Sequence, residues 1–300
     1  MNIKNIVSRR SFIFCPGLRP DMFPKAVNSG TDIVCIELED GIAPKDKDQA
    51  RKLTLDLFTS PLDGKGAELI VRINSVRDEF GLADIEAILK TSSPPPAIML
   101  PKVKTPDEVK WVDELFSERG HDTRLHVIIE TNAGLEAVYD IAKSSSRIDA
   151  LFFGGVDMAA ELRCKNAWEP LLYARSRVAH AAAGADLDVI DVPYLDLEDL
   201  SGMVTEAELV RDLGFSGKGC IHPKQISSIN EVFTPNDEAV ANAKKIITAF
   251  KKAETGLVVI DGKLIEKPVL RHMERIVAIC LLYTSPSPRD FEASRMPSSA

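Results

Sequence analysis

Residues 125–157 read LHVIIETNAGLEAVYDIAKSSSRIDALFFGGVD, and this stretch decides the fold. An apolar run, Leu125 to Ile129, ends on Glu130. A helical segment follows from about Ala133 to Lys143. A second apolar run, Ala150 to Phe153, then leads through Gly154 and Gly155 to Asp157. Continuous apolar runs suit strands covered on both faces, as in a parallel sheet. A buried strand has little reason to finish beside a charge unless that charge faces a shared pocket. In a parallel α/β barrel every strand C-terminus opens onto one face, where the chemistry sits.

The same pattern recurs upstream. IVCIELED delivers Glu39 and Asp40, ELIVRIN delivers Arg72, and AIMLPK delivers Lys102. Strands are expected at Ser11–Phe14, Ile33–Leu38, Leu69–Ile73, Ala97–Leu100, Leu125–Ile129, Ala150–Phe153, Leu187–Val192 and Gly217–Ile221. Helices alternate with them: a short one from Pro20, then about 46–58, 82–89, 105–119, 133–143, 170–183 and 199–213. Thr105-Pro106-Asp107-Glu108 is a strong helix start, with Pro at the first helical position and acids in the first turn. Eight strands alternating with helices predict a closed (β/α)8 TIM barrel over residues 1–234. A doubly wound open sheet is the alternative, but no G-x-G-x-x-G follows the first strand. Residues 235–283 predict a C-terminal lid or oligomerisation segment: a helix at 237–252, a hairpin around Asp261-Gly262, and a helix at 268–282. Residues 284–300 are rich in Ser and Pro without apolar periodicity. They read as a disordered or non-native tail.

The 300 residues carry a formal net charge of −8. That argues against nucleic-acid binding, which needs a basic surface. No apolar stretch reaches membrane-spanning length, and the N-terminus lacks a signal-peptide h-region. The five cysteines show no C-x-x-C pair, which points to a reducing compartment, the cytoplasm.

Glu130 and Asp157, two hard carboxylates at adjacent strand ends, suit Mg²⁺. The alternative is that Glu130 caps the next helix and Asp157 makes a structural ion pair. Glycine at 154 and 155 lets backbone N–H groups approach a ligand closely. The planar guanidinium of Arg72 suits a carboxylate or enolate oxygen, or it bridges structurally to Glu39 or Asp40. Those two acids could orient Arg72 or hold metal-bound water. Lys102 either neutralises an acidic pocket or is a solvated strand-end lysine. His222, in GCIHPKQ, is expected to fix the turn after the eighth strand. No G-x-S-x-G elbow or Walker loop is present.

In order, the chain contains RSFIFCPGLRPDMFPKA, IELEDGIAPKDKDQAR, VRIN, IIETNAGL, FFGGVDMAAEL and GKGCIHPKQI. From about Arg10 to Ala278 it resembles the HpcH/HpaI aldolase and citrate lyase β-subunit-like family of CoA-ester lyases. The resemblance implies a TIM barrel assembled as a homo-oligomer, a trimer or hexamer, with Mg²⁺ held by Glu130 and Asp157. It implies Arg72 on the oxo-acid half of the substrate. Phe14, Pro16, Gly17, Arg19 and Lys25 would lie near the CoA or acyl moiety, Gly155 beside the substrate, and Lys102 would neutralise the acidic pocket or the CoA phosphates. Many members carry Met-Ile-Asp-x-Pro in the lid, with its Asp acting in a neighbouring subunit's site. Here the segment reads Leu264-Ile265-Glu266-Lys267-Pro268, so Glu266 is the corresponding acid, one methylene longer. The implied reaction is reversible C–C cleavage of a 3-hydroxyacyl-CoA thioester, such as malyl-CoA or citramalyl-CoA. It yields acetyl-CoA and a 2-oxo acid, glyoxylate or pyruvate. A malyl-CoA thioesterase and a citryl-carrier-protein lyase β subunit are the alternatives.

Overall fold

The structure, a computed structural model, describes residues 7–60, 62–253, 257–260 and 262–284. Contacts divide the chain into two compact units, Arg9–Asn230 and Met1–Ser8 with Glu231–Ala300.

The larger unit is a closed parallel barrel. Its strands are β1 (Ser11–Pro16), β2 (Ile33–Glu37), β3 (Glu68–Arg72), β4 (Ala97–Leu100), β5 (Arg124–Ile129), β6 (Ile148–Phe153), β7 (Asp188–Asp191) and β8 (Gly217–Cys220), and β1 pairs with β8 to close the ring. The helices are α1 (Phe23–Val27), α2 (Lys47–Leu57), α3 (Glu79–Lys90), α4 (Pro106–Arg119), α5 (Asn132–Ala142), α6 (Gly155–Leu162), α7 (Trp168–Gly184), α8 (Leu200–Asp212) and α9 (Ile226–Phe233). The (β/α)8 expectation holds strand for strand, and the open-sheet alternative falls. Helix α4 begins where its sequence predicts, with Thr105 and Glu108 forming a capping box. Helix α6 was not expected. Its N-cap, Gly154, and its first residue, Gly155, are glycines, and glycine has low helix propensity, so the helix starts on tertiary packing rather than on local preference.

Alternation along the strands fills the interior with Phe12, Cys35, Ile70, Met99, Ile128 and Phe152. Beneath this layer, at the strand N-termini, lies a charged plug. Arg9 bonds Glu68 at 2.7 Å and Asp188 at 2.9 Å, and His126 Nε2 meets Glu68 at 2.9 Å. Glu68, His126 and Asp149 are close enough to share an ion. However, Arg9 takes Glu68, and Arg124 takes both oxygens of Asp149. The cations already present make this a structural network.

In the smaller unit, α10 (Asp237–Lys252) packs on α11 (Lys267–Thr284). Strands β9 (Leu257–Ile260) and β10 (Lys263–Glu266) pair antiparallel, with Lys263 opposite Ile260. Gly262 takes the left-handed turn position at φ 75°. Asp261 and the segment after residue 284 lie outside the described residues. Glu266 ends β10 and is exposed. Among the described residues no helix is long and apolar enough to cross a membrane.

Candidate active site

The barrel register brings the clamp together. Parallel pairing sets Glu37 of β2 beside Arg72 of β3, both at their strand ends. Arg72 Nε donates to Glu37 Oε2, and its Nη1 lies 3.2 Å from Glu39 Oε2. The guanidinium lies over the Phe14 ring at 4.6 Å, and Phe14 in turn packs edge-on against Phe12. Burial works against the charge on Arg72, but the charges of Glu37 and Glu39 outweigh it and hold the group more firmly protonated than usual. The structural alternative for Arg72, a bridge to Glu39 or Asp40, is met in part: Glu39 is a neighbour, but Asp40 pairs with Lys102 and Glu37 takes its place. Glu37 was legible only as the charge interrupting an apolar run.

Lys102 follows β4 in the left-handed conformation, φ 54°, which is costly for a side chain with a Cβ. Its ammonium lies 2.6 Å from Glu39 Oε1 and 2.9 Å from Asp40 Oδ1. It is therefore neither free nor merely solvated. The contorted backbone turns the Lys102 N–H onto Glu130 Oε1 at 2.8 Å. Glu39 faces cations through both oxygens, yet neither meets a donor at hydrogen-bond angles. Burial raises its pKa, against the pull of Arg72 and Lys102.

Glu130 is 3% exposed and sits one residue past β5. Burial, then the charges of Glu39 and Asp157, push its pKa up to about 8. Thr131, not Glu130, caps α5, accepting from the Gly134 N–H at 2.9 Å. Asp157 comes from the first turn of α6 and forms no ion pair among the described residues. Both structural alternatives for this acid pair thus find no support. The backbone of Gly154 lies directly against the Glu130 side chain, leaving no room for a Cβ. Gly155 packs between Val192 and Phe153 in the same way. Close packing accounts for both glycines.

Beside these acids opens a cavity of about 310 Å³, lined by Ser75, Arg77, Lys102, Lys104, Glu130 and Asp157 among others. Ser75, Arg77 and Lys104 were not anticipated. They lie on loops after β3 and β4, beyond the apolar runs that flagged the rest. The mutually repelling acids, one of them buried and raised by its neighbours, offer hard oxygen donors short of positive charge. That donor set fits a divalent cation such as Mg²⁺.

At the end of β1, Pro16 is the last strand residue. The Gly17 N–H donates to Glu37 O at 3.0 Å, and a Cβ on Gly17 would come within 2.8 Å of that oxygen. Gly17 thereby lets β1 close onto the strand end that carries Glu37. Arg19 is exposed and paired with Asp21 at 2.8 Å, and Lys25 is exposed on α1. His222 fixes its turn as expected, with Nδ1 accepting from the Lys224 N–H at 3.1 Å. Glu266 belongs to the smaller unit.

The family model for HpcH/HpaI aldolase/citrate lyase matches residues 10–223. The chain is 34% identical over 297 residues to the L-malyl-CoA/β-methylmalyl-CoA lyase of Rhodobacter capsulatus, covering 89% of this chain and 93% of that protein. It is 31% identical to the mitochondrial citramalyl-CoA lyase of Rattus norvegicus, covering 91% and 86%. Among solved structures it superposes on CitE of Mycobacterium tuberculosis in complex with magnesium, acetoacetate and coenzyme A. The TM-score is 0.75 at 28% identity, covering 91% of this chain and 98% of that one.

Proposed function

Because the chain belongs to the HpcH/HpaI aldolase/citrate lyase family, we propose that it is a Mg²⁺-dependent CoA-ester lyase that cleaves a 3-hydroxyacyl-CoA reversibly into acetyl-CoA and a 2-oxo acid. Malyl-CoA and citramalyl-CoA are the substrates that its relatives' activities suggest. The observation that carries this reading is the meeting, at one barrel mouth, of two acids, Glu130 buried and Asp157 half-buried, that form no ion pair among the described residues, with a pre-aligned arginine.

Glu130 and Asp157 would hold the Mg²⁺, which when bound acts as a Lewis acid toward the oxygens of the oxo-acid half. Arg72 is held on one edge by Glu37 and Glu39, and on one face by Phe14. Among the described residues its Nη2 donates to nothing, so it remains available to an oxyanion. Cleavage breaks the bond between C2 and C3. The hydroxyl proton passes to a general base, the O–H pair forms the carbonyl of the oxo acid, and the C2–C3 electron pair stays on the acetyl carbon as a thioester enolate. A fixed guanidinium stabilises that developing charge without reorganising. Lys102, locked between Glu39 and Asp40, ties the two acids together and holds the pocket wall in place. The enolate carbon then takes a proton, and Glu266 of an adjacent subunit is our candidate for its exchange. Phe14, Pro16, Gly17, Arg19 and Lys25 would border the CoA path, and Gly155 the substrate. The assembly would be a homotrimer or hexamer. The setting would be reducing and cytoplasmic, in keeping with cysteines that show no C-x-x-C spacing.

The test is to incubate the pure protein and Mg²⁺ with malyl-, citramalyl- and citryl-CoA, scoring acetyl-CoA, free CoA and oxo acid separately. Acetyl-CoA with matching oxo acid supports the lyase. Free CoA with an intact hydroxy acid identifies a thioesterase instead.

A further inference from the structure

Lys47 is a lysine near the start of α2, yet it is only 7% exposed. Its ammonium does not reach solvent. It donates to Leu38 O at 2.8 Å, Glu39 O at 2.6 Å and Asn74 Oδ1 at 2.5 Å, which uses all three of its hydrogens. The first two acceptors belong to the loop after β2, and the third to the loop after β3. Asn74 is held from behind: its backbone and side-chain N–H groups both donate to Asp84 Oδ2, and Arg51 Nε grips Asp84 Oδ1 at 2.6 Å.

These two loops flank the clamp. The first carries Glu39 and Asp40, which hold Arg72 and Lys102. The second follows Arg72 and leads to Ser75 and Arg77 on the cavity wall. The Leu38 N–H still reaches Arg72 O at 3.0 Å, and Glu39 O closes a turn with the Ile42 N–H at 2.9 Å. On top of these backbone bonds one ammonium gathers two successive carbonyls, Leu38 O and Glu39 O, and ties them through Asn74 to the facing loop. We propose that Lys47 is a positioning residue of the active site: it sets the register between the loops after β2 and β3, and so the placement of Glu39 against Arg72. It touches neither the acid pair nor the cavity directly. The proposal rests on the lyase reading only for its turnover readout.

The experiment compares wild type with Lys47→Met, which keeps the stem and removes the donors, and with Asn74→Ala, which removes one acceptor. For each, calorimetry measures Mg²⁺ binding and then oxo-acid binding, with pyruvate as the probe. Turnover is measured on the CoA ester that wild type cleaves best. Bound Mg²⁺ counts folded sites, since Glu130 and Asp157 stand on β5 and α6. Expected for Lys47→Met is a Mg²⁺ affinity within about twofold of wild type, with kcat per folded site down roughly 10- to 100-fold. Asn74→Ala should show a smaller loss of the same kind. A Lys47→Met protein with wild-type kcat and pyruvate affinity per Mg²⁺ site overturns the proposal. So does equal loss of Mg²⁺ binding and turnover, which marks a purely structural lysine. Should Lys47→Met not fold, Asn74→Ala decides on the same criteria. A wild type that binds Mg²⁺ and pyruvate but cleaves no CoA ester contradicts the lyase reading alone. The pyruvate affinities of the variants then still judge Lys47, and unchanged values overturn its role.

Discussion

The backbone N–H of Lys102 donates to Glu130 Oε1 at 2.8 Å from a left-handed conformation, φ 54°. One strained residue thus aims its main chain at the candidate metal ligand and its side chain at Glu39 and Asp40. Strain kept at a site implies that the surroundings over-determine it. Glycine accepts this conformation freely, whereas alanine does not. Lys102→Gly should therefore be more stable than Lys102→Ala by about 1 kcal/mol, read by urea denaturation. Both variants should lose turnover, because both lose the ammonium. Equal stabilities would remove strain from the account.

Glu130→Gln should abolish Mg²⁺ binding in calorimetry while the protein stays folded. The metal-free proteins should also differ in their pH dependence. Burial, Glu39 and Asp157 raise the Glu130 carboxyl from 4.5 to about 8. Between those values the folded metal-free protein binds more protons than the unfolded chain, so its stability falls as pH rises through the window. The Gln variant lacks that slope. Gly154→Ala should weaken Mg²⁺ binding too, since the added methyl displaces Glu130. Parallel stability curves for wild type and Glu130→Gln would contradict the assignment.

Arg72→Lys keeps the charge and loses the fork. An ammonium cannot hold Glu37 and Glu39 and still stack on Phe14 while presenting a donor to the substrate. Turnover should drop by about 100-fold or more, with Mg²⁺ affinity near wild type. Steady-state kinetics beside calorimetry checks both halves of that expectation.

Glu68, at the far end of the barrel, separates stability from chemistry. Burial raises its pKa, but His126 and Arg9 outweigh that and hold the carboxyl well below its usual range. A depressed carboxyl contributes stability above its unfolded pKa and loses it as pH falls towards the folded value. Glu68→Gln should cost roughly 2 kcal/mol at neutral pH, discounted for partial exposure, and should flatten the acid limb of the stability curve. Mg²⁺ affinity and kcat of the folded protein should not change. A loss of Mg²⁺ binding in this variant would mean that the plug is a metal site after all.

Much of this molecule was legible in the sequence because buried parallel strands must be apolar and their functional ends must not be. Glu130, Asp157, Arg72 and Lys102 stood out on that ground, and all four lie at the strand C-terminal end of one barrel. The residues that escaped notice depend on long-range geometry. Glu37 reads as a flaw in a strand until the β2–β3 register sets it beside Arg72. Lys47 reads as a surface lysine in a helix of mixed charge, and only the turn after β2 explains why it folds inward. Helix α6 is hidden by its opening glycines, which serve packing against Glu130 and Val192 rather than helix formation.

The central claim is carbon–carbon cleavage through an enolate, and cleavage in D₂O tests it most directly. Malyl-CoA, or citramalyl-CoA if that is the better substrate, is incubated with the protein and Mg²⁺, and products are resolved by mass spectrometry. The account predicts acetyl-CoA carrying deuterium in its methyl group, with an equimolar amount of the 2-oxo acid and no reaction once Mg²⁺ is chelated. Free CoA with unlabelled hydroxy acid, or cleavage that persists without the metal, would contradict it.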